Sequence, residues 1–203
     1  MVSLKVDCLV VERGGRRVID GLSFAADPGE AVAVTGPNGV GKSTLLRAVA
    51  GLTAVVGGCI TLSQWPERRQ SAMHLVGHRE AIKPQHSLLD NLAFWCRFLA
   101  AEPPADGVEA TVEAALDAVG LVHLADAPAE LLSQGQRRRL ALARLLVAPR
   151  PLWLLDEPTA GLDTASRARL AGLLARHLDG GGLLLAATHE EIGVPTRALA
   201  LAA

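Results

Sequence analysis

The chain contains no tyrosine, and three tryptophans and three phenylalanines are its whole aromatic content. It therefore offers no strip of alternating basic and aromatic side chains on which a nucleic-acid strand could stack. Charge of one sign is also lacking. Twenty Lys and Arg stand against 21 Asp and Glu, a formal net charge of -1, so no overall basic field attracts a polyanion. The three cysteines, Cys8, Cys59 and Cys96, are odd in number and scattered. They have neither the paired spacing of a zinc site nor that of a disulfide framework, which makes a reducing cytosol the natural compartment. No apolar run reaches the roughly 18 residues that span a bilayer. The opening MVSLKVD lacks a basic region followed by an apolar signal core. Work at a membrane would rely on other subunits to cross it.

Half of the 203 residues are apolar, enough to bury a substantial core in one domain, or in a domain with a small insertion. Residues 4–12 and 22–26 read as strands, and AVAVT at 31–35 has the short apolar run of a buried parallel strand. Similar runs recur at 59–62, 74–76, 151–155 (PLWLL) and in LLLAAT after the GGG turn at Gly180. Helices are expected after residue 44, ending at Gly51, and over 164–178. Between about 80 and 148 the pattern turns helical, with apolar positions at Leu88, Leu92, Trp95 and Leu99 and a break at EPPADG. The expected class is α/β, a mostly parallel core sheet flanked by helices, with a helical insertion.

Residues 36–43, GPNGVGKS, match G-x-x-x-x-G-K-S in the strand-then-helix context that motif requires. Glycines at 36, 39 and 41 let successive N–H groups turn inward around oxyanions, and the helix N-terminus adds partial positive charge. Lys42 would reach the β- and γ-phosphates and the Ser43 hydroxyl would ligate Mg²⁺. The chain has only three lysines beside seventeen arginines, so composition alone does not explain a lysine here.

PLWLLDE ends a predicted buried strand on two adjacent carboxylates. Asp156 can hold the water shell of Mg²⁺ and Glu157 can polarise an attacking water; a solvated strand-end glutamate is the alternative. His189 follows the run LLLAAT, so the same sheet would deliver an imidazole to the phosphate edge, unless the histidine is merely structural. LSQGQ, residues 132–136, stands just before a predicted basic helix, RRRLALARLLV.

The order GPNGVGKST, LLSQGQRRRLALARLL, LLDEPTAGLD, ATH resembles the ATP-binding cassette (ABC) ATPases over nearly the whole chain. The resemblance implies a P-loop NTPase fold of ABC type, with an N-terminal antiparallel β subdomain and a small helical subdomain. It implies ATP and Mg²⁺ as cofactors and a head-to-tail dimer. Each ATP would lie between Gly36, Pro37, Asn38, Gly39, Val40, Gly41, Lys42, Ser43 and Thr44 of one subunit and Ser133, Gly135 and Gln136 of the other. Asp163, with Gly161 and Leu162, matches the loop along that interface, and His189 matches the histidine that contacts the γ-phosphate. Arg137 to Arg139 would then be a solvated helix face rather than a nucleic-acid patch.

Within the family, GHREAIK, DNLAFW and PLWLLDEPTAGLD resemble the ATP-binding subunits of cytochrome c biogenesis systems, the haem exporters. The resemblance implies transmembrane permease partners, a peripheral position on the cytoplasmic face of the inner membrane, and ATP hydrolysis that energises haem export or release of haem from its chaperone. Another small-molecule or lipid exporter, or a nucleotide-gated module with little hydrolysis, remains the alternative. Two positions depart from the family pattern. Arg79 stands where a glutamine usually contacts Mg²⁺, and a cation cannot ligate one; it is expected at the γ-phosphate or an acidic coupling helix, or else to be a solvated loop residue. No aromatic ring precedes the phosphate loop in VVERGGRRV, so Arg13 is expected to stack on adenine, or else to be a solvent-facing turn arginine.

Overall fold

The computed structural model describes residues 2–65, 69–100 and 102–202. They form two compact units, the first gathering the described residues of Met1–Gly77, Arg150–Pro158 and Leu173–Ala203. Its smaller sheet is antiparallel: β1 (Leu4–Arg13) runs between β2 (Arg16–Ala26) and β4 (Gly57–Leu62). The other sheet contains β3 (Ala31–Thr35), β5 (Met73–Val76), β6 (Leu152–Asp156), β7 (Leu183–Ala187) and β8 (Arg197–Ala200), in the order β5-β6-β7-β3-β8 with every pair parallel. All residues of β6 and β7 are buried, as expected of parallel strands covered on both faces, and for that reason their sequences do not alternate. Helix α1 (Lys42–Val49) packs on β6 and β7, with Leu45 and Leu46 fully buried.

Strand β8 was not anticipated. It has four residues, RALA, mostly exposed, too short and alanine-rich to mark a strand. It is held by pairing to β3 and by Arg197, which reaches Glu30 just before that strand; the guanidinium holds the Glu30 carboxyl below its usual range.

The second unit gathers His78–Pro149 and Thr159–Gly172 and contains α2 (Leu88–Leu99), α3 (Gly107–Ala118) and α4 (Gln134–Ala143). A fifth helix, α5 (Thr164–Asp179), begins here and ends in the first unit. Ser87 caps α2 by accepting from Asp90 N, and buried Asn91 donates to the carbonyls of Lys83, His86 and Ser87. Arg144 lies 4.7 Å over the Trp95 ring, and burial together with the nearby Arg138 charge brings its pKa down to about 10.

Two expectations need correction. The signature residues do not precede the basic helix: α4 starts at Gln134, so Gly135 and Gln136 lie inside its first turn. Arg137 to Arg139 are a solvated face only at Arg137, which is exposed. Arg138 is buried, Arg139 donates to the carbonyls of Val119 and Gly120 at 2.9 and 3.1 Å, and Arg137 donates to Leu132 O. Carbonyls left open at loop and helix ends recruit these long side chains. Among the described residues no helix is long and apolar enough to cross a membrane.

Candidate nucleotide site

Because β3, β6 and β7 run in parallel, their C-terminal ends share one edge, and the loops leaving that edge carry the candidate residues. The loop after β3 turns into α1 at Gly41, whose φ is +118°. A Cβ there would lie 2.8 Å from Val18 Cγ1, so both backbone angle and space require glycine. Lys42 is buried. Its Nζ donates to Gly36 O at 2.8 Å and Pro37 O at 3.1 Å, and lies 2.8 Å from His189 Nε2. An ammonium has three donors, and each has a partner.

Ser43 Oγ donates to Asp156 Oδ1 at 3.0 Å, joining the first turn of α1 to the end of β6. Two hard oxygens at this separation fit neighbouring positions around a small octahedral cation such as Mg²⁺. Thr44 is buried behind them, and Val40 packs on the core.

Glu157 has φ +49°, a left-handed conformation unusual for a residue with a side chain. Its N–H donates to Ala187 O at 2.8 Å, continuing the ladder to β7 beyond the end of β6. Its Oε1 lies 3.6 Å from His189 Nε2. Backbone strain of this kind is tolerated where surrounding bonds fix it, and it is concentrated at functional sites. His189 Nε2 also lies 2.9 Å from Asn38 Oδ1. This one ring nitrogen faces a donor, Lys42, and two acceptors, Asn38 and Glu157. Bare, it accepts from the ammonium; protonated, it turns to the amide oxygen and the carboxylate.

The first unit thus brings Asn38, Lys42, Ser43, Asp156, Glu157 and His189 together. Arg13 is exposed, beside the turn between β1 and β2. Ser133, Gly135, Gln136 and Asp163 lie in the second unit. There Ser133 Oγ accepts from Gln136 N at 3.3 Å while Gln136 Oε1 accepts from Ser133 N at 2.8 Å, a reciprocal cap on α4. Asp163 caps α5 by accepting from Ser166 N at 2.7 Å, and this bond holds its carboxyl below the usual range. Arg79 is exposed in the same unit. Sequence reasoning missed Val18 and Ile19, which both pack at Gly41; two adjacent β-branched residues after a run of arginines were the available signal.

The strand, loop and helix around Lys42, closed from a second strand by Asp156, define a phosphate-loop NTPase. A profile of the ABC transporter family matches residues 19–160, and the chain belongs to that family: it is an ABC-type ATPase. Similar proteins include the "Cytochrome c biogenesis ATP-binding export protein CcmA" of Rhodopseudomonas palustris strain BisB5, 49% identical over 195 residues covering 94% of each chain. The protein of the same name from Nitrobacter hamburgensis is 51% identical over 189 residues, covering 92% of each. An ABC transporter ATP-binding protein of Pyrococcus furiosus shares the fold, with a TM-score of 0.83 at 22% identity over 98% of this chain and 97% of that one. The cbiO1 protein of Clostridium perfringens, part of the ABC transporter complex cbiONQ, has a TM-score of 0.76 at 30% identity, covering 92% of this chain and 78% of its own.

Proposed function

We propose that this chain is the ATP-hydrolysing subunit of a membrane ABC complex serving cytochrome c biogenesis, and that it energises haem export or release of haem from its chaperone. The observation that carries the catalytic part is the meeting of Lys42 Nζ and Glu157 Oε1 at His189 Nε2, 2.8 and 3.6 Å away. A phosphate-binding cation, a water-polarising carboxylate and an imidazole at one point suit attack of water on a terminal phosphoryl group. The biological part rests on the named relatives, about half identical over nearly the whole chain.

In this reading the 203 residues act as a single nucleotide-binding domain. The backbone N–H groups of Gly36 to Thr44 cradle the phosphates, with Lys42 on the β- and γ-oxygens. Ser43 and Asp156 hold Mg²⁺, which neutralises phosphate charge when bound. Glu157 orients and deprotonates the water, and His189 contacts the γ-phosphate. Ser133, Gly135, Gln136 and Asp163 act on the nucleotide of a second copy in a head-to-tail dimer, and Arg13 meets the base. Arg79 contacts the γ-phosphate or an acidic segment of the permease subunits. The assembly sits peripherally on the cytoplasmic face of the inner membrane and engages no nucleic acid.

The test is to deplete the chain and follow covalent haem attachment to c-type cytochromes, with complementation by the wild type and by Glu157→Gln. Maturation should fail on depletion and return only with the wild type. Intact maturation without the chain would overturn the cytochrome assignment and leave an ATPase serving another cargo.

A further inference from the structure

His189 has three side-chain partners but no backbone bond of its own to hold it among them. Its Nε2 lies 2.8 Å from Lys42 Nζ, 2.9 Å from Asn38 Oδ1 and 3.6 Å from Glu157 Oε1. Among the described residues its N–H and C=O make no hydrogen bond, and its side chain is 45% exposed. An imidazole turns about two side-chain bonds, so contacts at these distances require the backbone beneath it to be fixed by its neighbours.

The residue before it does this. Strand β7 ends on Ala187, whose carbonyl accepts from Glu157 N at 2.8 Å on one side, and Thr188 N donates to Val34 O of β3 at 3.3 Å on the other. There the ladders stop. Thr188 is only 3% exposed, and its hydroxyl reaches past His189 to the next residue. Its Oγ1 donates to Glu190 O at 2.9 Å and accepts from Glu190 N at 3.1 Å. A threonine hydroxyl that bonds the backbone two residues on closes a tight turn. This one ties together the two flanks of His189, and burial removes water that would compete for it. The β-branched carbon leaves χ1 little freedom, so the hydroxyl stays aimed at Glu190.

We propose that Thr188 is a positioning residue for hydrolysis: its hydroxyl clips the chain across His189 and holds the imidazole where the Lys42 ammonium and the Glu157 carboxylate converge. The proposal rests on the reading of His189 as the γ-phosphate contact. In this role Thr188 acts through His189 alone. Misplacing a group by about 1 Å at a reacting centre costs up to about 10²-fold in rate. The phosphate loop, which supplies affinity for ATP, is left as it is.

The test is steady-state ATPase kinetics of the assembled complex carrying Thr188→Val, which keeps the shape and removes the hydroxyl, Thr188→Ser, which keeps the hydroxyl, His189→Ala, or Thr188→Val combined with His189→Ala. Thr188→Val should lower kcat by about tenfold or more, with KM for ATP within about twofold of wild type. Thr188→Ser should recover most of that loss, and adding Thr188→Val to His189→Ala should lower kcat no further. Thr188→Ala carries the same expectation should Thr188→Val fail to fold. Wild-type kcat in Thr188→Val, Thr188→Ser as slow as Thr188→Val, or an equal fall with and without His189 would each overturn the clip. Turnover unchanged by His189→Ala alone would instead overturn the underlying reading of His189.

Discussion

Ser43 Oγ and Asp156 Oδ1 lie 3.0 Å apart although 113 residues separate them in the chain. This bond ties the helix that follows the phosphate loop to a strand two places away in the sheet, and it sets side by side two hard oxygens of the kind that hold a divalent cation. Replacing Ser43 by Ala removes one oxygen and leaves Asp156 without this donor. The Mg²⁺ concentration for half-maximal ATPase activity should rise by about tenfold or more, read from a Mg²⁺ titration at saturating ATP.

Glu157 is held by its N–H bond to Ala187 O in a backbone conformation that costs energy, with its carboxylate beside His189. Glu157→Gln keeps the size and the backbone but loses the carboxylate proposed as the base. Hydrolysis by the assembled complex should fall by about 10²- to 10⁴-fold while ATP binding persists. Turnover close to wild type would remove Glu157 from its assigned role.

Trp153 and His177 stack with ring centroids 3.8 Å apart, and a Cβ on Gly182 would lie 2.3 Å from the imidazole. Gly182→Ala must push the imidazole off the indole, at a cost of about 1–3 kcal/mol. Urea denaturation should show this loss, and the same substitution in a His177→Ala background should cost less, because the obstructing ring is gone.

Burial pushes the His177 pKa below the ordinary histidine value, partly offset by bonds to Leu183 O and Pro151 O. A depressed native pKa means that the unfolded chain binds the proton more readily. This contribution to stability is full above about pH 6.5 and is lost as pH falls through that value towards the native pKa. Denaturation midpoints should therefore drop between pH 7.5 and 5.5, and His177→Gln should flatten the drop. Glu30, whose carboxyl pKa is depressed by Arg197, acts in a separate and more acidic window.

The phosphate loop was legible because its chemistry is local. Eight consecutive residues supply the glycine turns, the cation and the hydroxyl, and the strand and helix around them have their own periodicity. The adjacent carboxylates Asp156 and Glu157 were legible for the same reason, at the end of an unbroken apolar run. Less legible were the three arginines after LSQGQ. A run of charge in sequence suggests a solvated face, but here loop carbonyls such as those of Val119 and Gly120 capture the side chains. Strand β8 was not legible because its four residues, RALA, are few and rich in alanine, which does not favour strands.

The sequence by itself determined the kind of chemistry: a triphosphate loop, two acids at a strand end, and a histidine at another. Only the tertiary structure decided which of them meet. The buried runs AVAVT, LWLLD and LLLAA are interchangeable as patterns, and nothing in them states that β7 lies between β3 and β6. That order, set by packing both faces of a parallel sheet, brings His189 to Lys42 and Glu157. A single bulged residue, Val18, shifts the register between β1 and β2 and lies against Gly41, a contact that no local pattern in the sequence announces.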